Sequence, residues 1–283
     1  MDRRGFMKIA GVVPAAGLVS PSLSGLSKSS LNTTKHSICR WCYNSTPLEL
    51  LIDKAKDLGI NSIELLNPQE WEMVYKSGLE CAVANGSPLG ITVGFNDIAN
   101  HDQLIRDFTE LIPKAAEFGI PNIICFSGNR GQISDSEGLE NCAVGLDPVV
   151  KLAEKYNIRV IMELLNSRVD HQDYQCDNTA WGIQLVDKLG SENFKLLYDI
   201  YHMQIMEGDI IRTIQNHKEY IAHFHTGGVP GRNEIDETQE LNYAAIMSGI
   251  RETGYEGFVA QEFIPTWEDP FSALKVAIDI CTV

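Results

Sequence analysis

One beat repeats along this chain from about residue 36. An amphipathic helical stretch ends at glycine or a turn, and a short β-rich run follows that stops at a polar residue. Residues 48–55 lead through Gly59 to Ser62-Ile63-Glu64, and residues 114–118 lead through Gly119 to 122–125. Residues 150–156 precede 158–163, 185–189 with Gly190 precede 194–199, and 210–217 precede 220–225. The last unit runs from 246–253 and Gly254 to 258–262. Apolar residues recur at three- and four-residue intervals in the helical stretches, and glycine closes several of them, as it does at helix C-termini. With 37–42 as a first strand and 90–93 as a third, the chain has eight strands. Strands alternating with helices imply right-handed crossovers and a parallel sheet. Eight such units in roughly 250 residues match the size of a (β/α)8 barrel. A doubly wound open sheet fits the same beat, but no glycine-rich phosphate loop or dinucleotide fingerprint follows an early strand. The expected fold is therefore an α/β (β/α)8 (TIM) barrel. No linker or composition shift divides the chain after residue 36, so residues 29–283 are expected to form a single barrel domain.

The start of the chain reads differently. Met1-Asp2-Arg3-Arg4-Gly5-Phe6-Met7-Lys8 precedes a small, apolar stretch and a Ser/Pro-rich tail. Basic residues, then a mildly apolar region, then small residues is the layout of an export signal. The paired arginines resemble the twin-arginine signal, so residues 1–28 are expected to be a signal peptide and the mature protein periplasmic or otherwise exported. Such a route carries folded protein, so a metal can be loaded before export. The formal charge of −15 disfavours nucleic acid and anionic membrane surfaces, which need a basic face. No apolar run of about 18 residues is present, so a membrane span is not expected. Seven irregularly spaced cysteines do not form a disulfide framework. Cys39-Arg40-Trp41-Cys42 is a CxxC, but it falls in the first strand, not at a helix start, which disfavours redox chemistry; a disulfide at either thiol stays open.

In a barrel, strand C-termini converge on one mouth, where chemistry sits. Strand five ends at Glu163, six at Asp199, seven at His225 and eight at Glu262, with separations of 36, 26 and 37 residues, about one unit each. These four are expected at one height, facing one cavity. Any one of them alone reads as a cap or a structural residue. Three crowded carboxylates, however, repel and are costly to desolvate unless a cation neutralises them. Carboxylates plus an imidazole suit Mn²⁺, Mg²⁺ or another divalent ion.

Met162-Glu163-Leu164-Leu165-Asn166, Tyr198-Asp199-Ile200-Tyr201-His202, His223-Phe224-His225-Thr226-Gly227-Gly228 and Gln261-Glu262-Phe263 resemble the xylose-isomerase-like barrel superfamily. Within it they are most similar to the hydroxypyruvate isomerase family and its neighbours, the ketose 3-epimerases. The similarity is sharpest over residues 159–263. The resemblance implies one divalent ion held by Glu163, Asp199, His225 and Glu262, with Glu163 and Glu262 doubling as acid and base. It implies that His202 and Arg232 bind substrate oxygens. Several bacterial hydroxypyruvate isomerases carry Gln where this chain has His225, whereas the epimerases carry His. The epimerases place a second carboxylate six residues after their strand-five glutamate, where this chain has Val169 followed by Asp170.

Such a site suits proton transfer beside a carbonyl. The expected enzyme interconverts aldehyde and ketone forms of a small hydroxy-carbonyl substrate, a hydroxy-keto acid or sugar, through an enediolate. A ketose 3-epimerase of free sugars is the runner-up, and a catalytically inactive sugar-binding barrel is the alternative from another class. A damaged-DNA endonuclease on the related fold is disfavoured by the acidic charge, and no phosphate cradle favours phosphorylated sugars. Homo-oligomerisation stays open. Glu64, ending strand two, is a further candidate for substrate contact, with an outer supporting or capping role the stronger reading. Trp41 reads equally as pocket wall or plain core. Asn166 and Arg168 are candidates to orient Glu163 or substrate, and His223 is read as supporting the site from behind.

Overall fold

The computed structural model describes residues 34–283. The expected signal peptide, residues 1–28, lies outside the described residues. Eight strands occur in chain order: β1 (Lys35–Cys39), β2 (Ser62–Glu64), β3 (Val83–Ala84), β4 (Asn122–Cys125), β5 (Arg159–Glu163), β6 (Phe194–Asp199), β7 (Ile221–Thr226) and β8 (Phe258–Gln261). The intervening helices are α1 (Leu48–Asp57), α2 (Pro68–Ser77), α3 (His101–Glu117), α4 (Asp135–Tyr156) and α5 (Thr179–Leu189). The series continues with α6 (Ile200–Met206), α7 (Ile210–Asn216), α8 (Tyr243–Glu252) and α9 (Pro270–Cys281). Every pairing is parallel, in the order β2-β1-β8-β7-β6-β5-β4-β3. Between β2 and β3 only the bridges Ser62–Glu80 and Leu66–Ala84 complete the circle, so the (β/α)8 barrel is nearly closed.

Two apolar layers account for the sequence pattern. Val160, Met162, Leu196, Tyr198 and Phe224 face outward onto the helices. Cys39, Ile124, Ile161, Leu197 and Ala260 face inward and fill the barrel. With side chains alternating at period two, the inward set continues from Ile161 to Glu163 and from Leu197 to Asp199. Ala260 continues to Glu262 in the same way. The register then aligns the polar ends: Asp199 pairs beside His225 and His225 beside Ala260. Glu163, Asp199, His225 and Glu262 are therefore polar groups on the inward side at the strand C-termini.

Several strand boundaries move by a residue, and two strands, the third and the first, differ more from the sequence expectation. The third strand is the two-residue Val83–Ala84, not 90–93, which lies in the β3–α3 loop. A two-residue strand carries no readable periodicity, and it is defined by its pairing with Asn122 and Ile123 of β4. Residues 90–93 mimic a strand in composition, but Gly90 has φ +74° and the following Gly94 is pressed against the β4–α4 loop. A Cβ on Gly94 would fall 2.2 Å from Gly128 N. The first strand ends at Cys39, and Arg40–Tyr43 form a 3-10 turn that carries Trp41 over the mouth. All seven cysteines are free thiols, so neither member of the CxxC is in a disulfide. Among the described residues no helix is long and apolar enough to cross a membrane.

Candidate active site

Glu163, Asp199, His225 and Glu262 meet as the strand ends require. One ligand atom from each lies within 4.8 Å of the others, and all four residues are buried. His225 Nδ1 is 2.8 Å from Glu262 Oε2. Glu163 Oε1 is 3.2 Å from the same nitrogen but off the hydrogen-bonding direction, and it has no partner. Asp199 ends β6 and caps α6, accepting the His202 N–H at 3.0 Å on Oδ1. Trp41 Nε1 donates to Glu262 Oε1 at 2.7 Å, which makes Trp41 part of the site wall.

Arg232 supplies the countercharge. It sits in the loop after β7 with φ +58°, its guanidinium stacked 5.2 Å from the Trp41 ring and 5.4 Å from the Tyr201 ring. Nη2 donates to Asp199 Oδ2 at 3.1 Å and to Glu262 Oε2, and Nε donates to the Glu262 carbonyl at 3.2 Å. These bonds tie Arg232 to the carboxylates themselves; Nη1 makes no hydrogen bond among the described residues.

The field inside this cage separates the carboxyls. Burial pushes Asp199 up to about 8 against the pull of Arg232, with Glu262 and Glu163 adding to the rise. Burial likewise raises Glu163, outweighing its His225 neighbour. For Glu262 burial is opposed by Arg232, His225 and Trp41, which together hold it well below the usual carboxylate range. His225 is driven well above an ordinary imidazole because Glu262 and its other neighbours outweigh burial.

The donor set fits a divalent cation. A buried carboxylate oxygen without a hydrogen-bond partner is expensive unless something else coordinates it, and Glu163 Oε1 is one. The back of the His225 ring is fixed as metal-binding imidazoles usually are: Nε2 contacts Glu64 Oε1 at 2.9 Å, leaving Nδ1 toward the three carboxylates.

Glu64 is therefore not a wall for substrate. It is fully buried behind the cage, and its Oε1 also contacts His223 Nε2 at 2.9 Å. Inward alternation from Ser62 brings it to that layer, and His223 supports it there. His202 is fully buried with Nε2 unpartnered. Asn166 reaches neither the cage nor open cavity: its side chain bonds His202 Nδ1 and Asp170 Oδ2, both at 2.6 Å. Arg168 is exposed and donates to the Ile205 carbonyl at 2.8 Å, pinning the loop to α6 without touching Glu163.

Two supporting residues carry no sequence signal that singles them out. Tyr174 OH accepts from Ser127 N and donates to the Glu163 carbonyl, both at 3.0 Å, fixing the end of β5. His171 lies 5.2 Å from the His202 ring. Tyr201 was readable only as a neighbour of the Asp-x-x-His motif.

Known proteins similar to this chain share its barrel, and several are named as isomerases and epimerases. The chain is 26% identical over 238 residues to the hydroxypyruvate isomerase of Escherichia coli K12, covering 77% of this chain and 92% of that one. It is 25% identical over 242 residues to a 2-oxo-tetronate isomerase of Pectobacterium atrosepticum, covering 78% and 91%. The D-psicose 3-epimerase of Clostridium cellulolyticum H10 superposes with a TM-score of 0.71 at 18% identity, covering 88% and 98%. The family model for the xylose isomerase-like TIM barrel matches residues 52–277. By that match, which spans most of the barrel, the chain belongs to the xylose isomerase-like TIM barrel family.

Proposed function

We propose that this protein is a divalent-metal-dependent isomerase that interconverts aldehyde and ketone forms of a small α-hydroxy carbonyl compound through an enediolate. The observation that carries it is the buried cage of three carboxylates and one imidazole, whose two glutamates sit at the end of β5 and just past β8. The relatives named for hydroxypyruvate and 2-oxo-tetronate support a short hydroxy-keto acid as substrate. Glu163, Asp199, His225 through Nδ1 and Glu262 hold the ion, Mn²⁺ or Mg²⁺ by the hardness of the oxygen ligands. When bound, the cation supplies Lewis-acid polarisation of the carbonyl and charge stabilisation of the enediolate.

The chain's own groups handle the proton. Glu163 at the end of β5 and Glu262 just past β8 are the two carboxyls placed to divide the acid and base roles. One removes the carbon-bound proton and ends protonated, and the other delivers its proton to the neighbouring carbon. The substrate's hydroxyl proton passes to the former carbonyl oxygen, and proton exchange with solvent returns the two carboxyls to their starting states. Trp41 and Arg232 hold the Glu262 carboxylate in place, and Tyr174 holds the Glu163 backbone. His202 Nε2 and Arg232 meet substrate oxygens. Delivery to the opposite face of the same carbon gives epimerisation. The His225 imidazole, which the epimerases share, favours that as the second reading. The signal-like residues 1–28 support an exported, periplasmic location.

The test is incubation of Mn²⁺-loaded enzyme with hydroxypyruvate, tartronate semialdehyde and free ketoses in D₂O. Deuterium is expected to enter carbon beside the carbonyl of the short hydroxy-keto acids, and EDTA is expected to stop it. Exchange in ketoses alone, at C3, selects the epimerase; no exchange in any of them contradicts both readings. A second expectation concerns Glu64. Glu64→Gln keeps the shape but removes the charge behind His225. Mn²⁺ affinity should fall about 10- to 100-fold in a calorimetric titration. Unaltered affinity would show that Glu64 does not orient the ligand.

A further inference from the structure

We infer that Asn166 sets the tautomer of His202, so that this buried imidazole presents an Nε2–H donor, and not a lone pair, to the substrate. The location of the proton follows from hydrogen bonding alone; only what Nε2–H meets rests on the proposed isomerase chemistry.

Asn166 Oδ1 accepts the backbone N–H of Val169 at 3.0 Å and of Asp170 at 2.9 Å. Main-chain amides cannot reverse into acceptors, so the orientation of the Asn166 amide is fixed. Its NH₂ group then faces two atoms at 2.6 Å, Asp170 Oδ2 and His202 Nδ1. Both amide protons are thereby used. A ring nitrogen that receives an amide N–H holds a lone pair there, so the ring proton sits on Nε2. The same contact excludes the imidazolium and the other neutral tautomer, since either would aim Nδ1–H at an NH₂.

The Nε2–H so defined has no hydrogen-bond partner. Asp199 Oδ2, at 3.7 Å, is out of range. The ring is clamped between neighbours, with His171 at 5.2 Å and Tyr201 at 5.1 Å, so it does not swing to find one. Tyr201 OH also donates to Asp170 Oδ2 at 2.8 Å, joining α6 to the loop that carries Asn166. A buried donor left open in this way selects a ligand that brings an acceptor: a carbonyl, carboxylate or hydroxyl oxygen next to the reacting carbon. An analogue lacking that oxygen leaves the donor unpaired and binds poorly. Asn166 is thus a positioning residue for His202, and the contact with substrate belongs to His202.

The test reads the proton directly, by nitrogen NMR of protein carrying ¹⁵N-histidine. In the wild type, Nε2 of His202 is expected protonated and Nδ1 bare. Asn166→Asp keeps an oxygen for the two backbone amides and turns a second oxygen toward Nδ1, drawing the proton there. Adding Asp170→Asn removes the carboxylate–carboxylate contact that would otherwise disturb the loop. In the Asn166→Asp/Asp170→Asn protein the proton is expected on Nδ1, with kcat/KM for deuterium exchange down about 100-fold. Asp170→Asn alone is expected to keep the proton on Nε2. A wild-type ring protonated at Nδ1, or a proton that stays on Nε2 in the double variant, would overturn the assignment. A proton that moves with no change in kcat/KM would overturn the contact between Nε2–H and substrate. If the wild type carries the expected tautomer but exchanges deuterium with no substrate, the isomerase reading alone fails.

Discussion

Replacing Glu163 or Glu262 with glutamine is expected to lower deuterium exchange by at least about 10³-fold while the barrel stays folded. Removing a positioned acid or base costs roughly 10²- to 10⁴-fold by itself. Each of these glutamates also contributes an oxygen to the cage, so the same change weakens the grip on the ion. The two variants are expected to differ in detail. The Glu262 carboxylate receives Trp41 Nε1–H and the Arg232 Nη2–H, so a neutral amide there leaves Arg232 with a weaker partner. Glu163 Oε1 has no hydrogen-bond partner among the described residues, only the His225 contact at 3.2 Å, and Glu163→Gln is expected to leave stability closer to the wild type. Exchange rates measured with saturating Mn²⁺, alongside thermal unfolding, check both points. Wild-type rates in either variant would remove the acid–base assignment.

Arg232→Ala is expected to be the most destabilising single change at the site. The guanidinium is buried among Asp199, Glu262, Trp41 and Tyr201, and among the described residues no other arginine or lysine is paired with the cage carboxylates. Deleting one partner of a buried ion pair leaves uncompensated charge and typically costs about 3–5 kcal/mol. For a chain of this size that is a fall in Tm on the order of 10 °C. On the proposed metal-dependent reading Mn²⁺ would neutralise the same carboxylates, so it should raise the Tm of Arg232→Ala more than it raises that of the wild type. Differential scanning calorimetry with and without Mn²⁺ makes the comparison. An Arg232→Ala protein as stable as the wild type would mean that the carboxyls are not held as anions by this residue.

The legible part of this protein is the part written in strand periodicity. Glu163 and Asp199 each stop an apolar run, and His225 and Glu262 likewise fall two residues after an inward side chain, so strand alternation places all four in one cavity. The eight-unit beat made the barrel readable in the same way. The third strand was misplaced because Val83–Ala84 is held by its neighbours' hydrogen bonds, whereas 90–93 has strand-like composition inside a loop. Glu64 ends its strand facing inward like the ligands, and only the position of β2 beside β1, together with contacts across the barrel, reveals that His223 and His225 occupy it. Asn166 and Tyr174 act through loop geometry between β5 and α5. Hydrogen bonds there depend on backbone turns that no periodic pattern announces. Arg232 was readable as a site residue, but its pairing with Asp199 and Glu262 needed the fold of the β7–α8 loop.

The most direct measurement is anomalous diffraction from crystals grown with Mn²⁺. One strong manganese peak is expected, bounded by the carboxylates of Glu163, Asp199 and Glu262 and by Nδ1 of His225. A cage whose four side chains point apart, or manganese bound only elsewhere on the barrel, would contradict the proposed metal-dependent proton transfer.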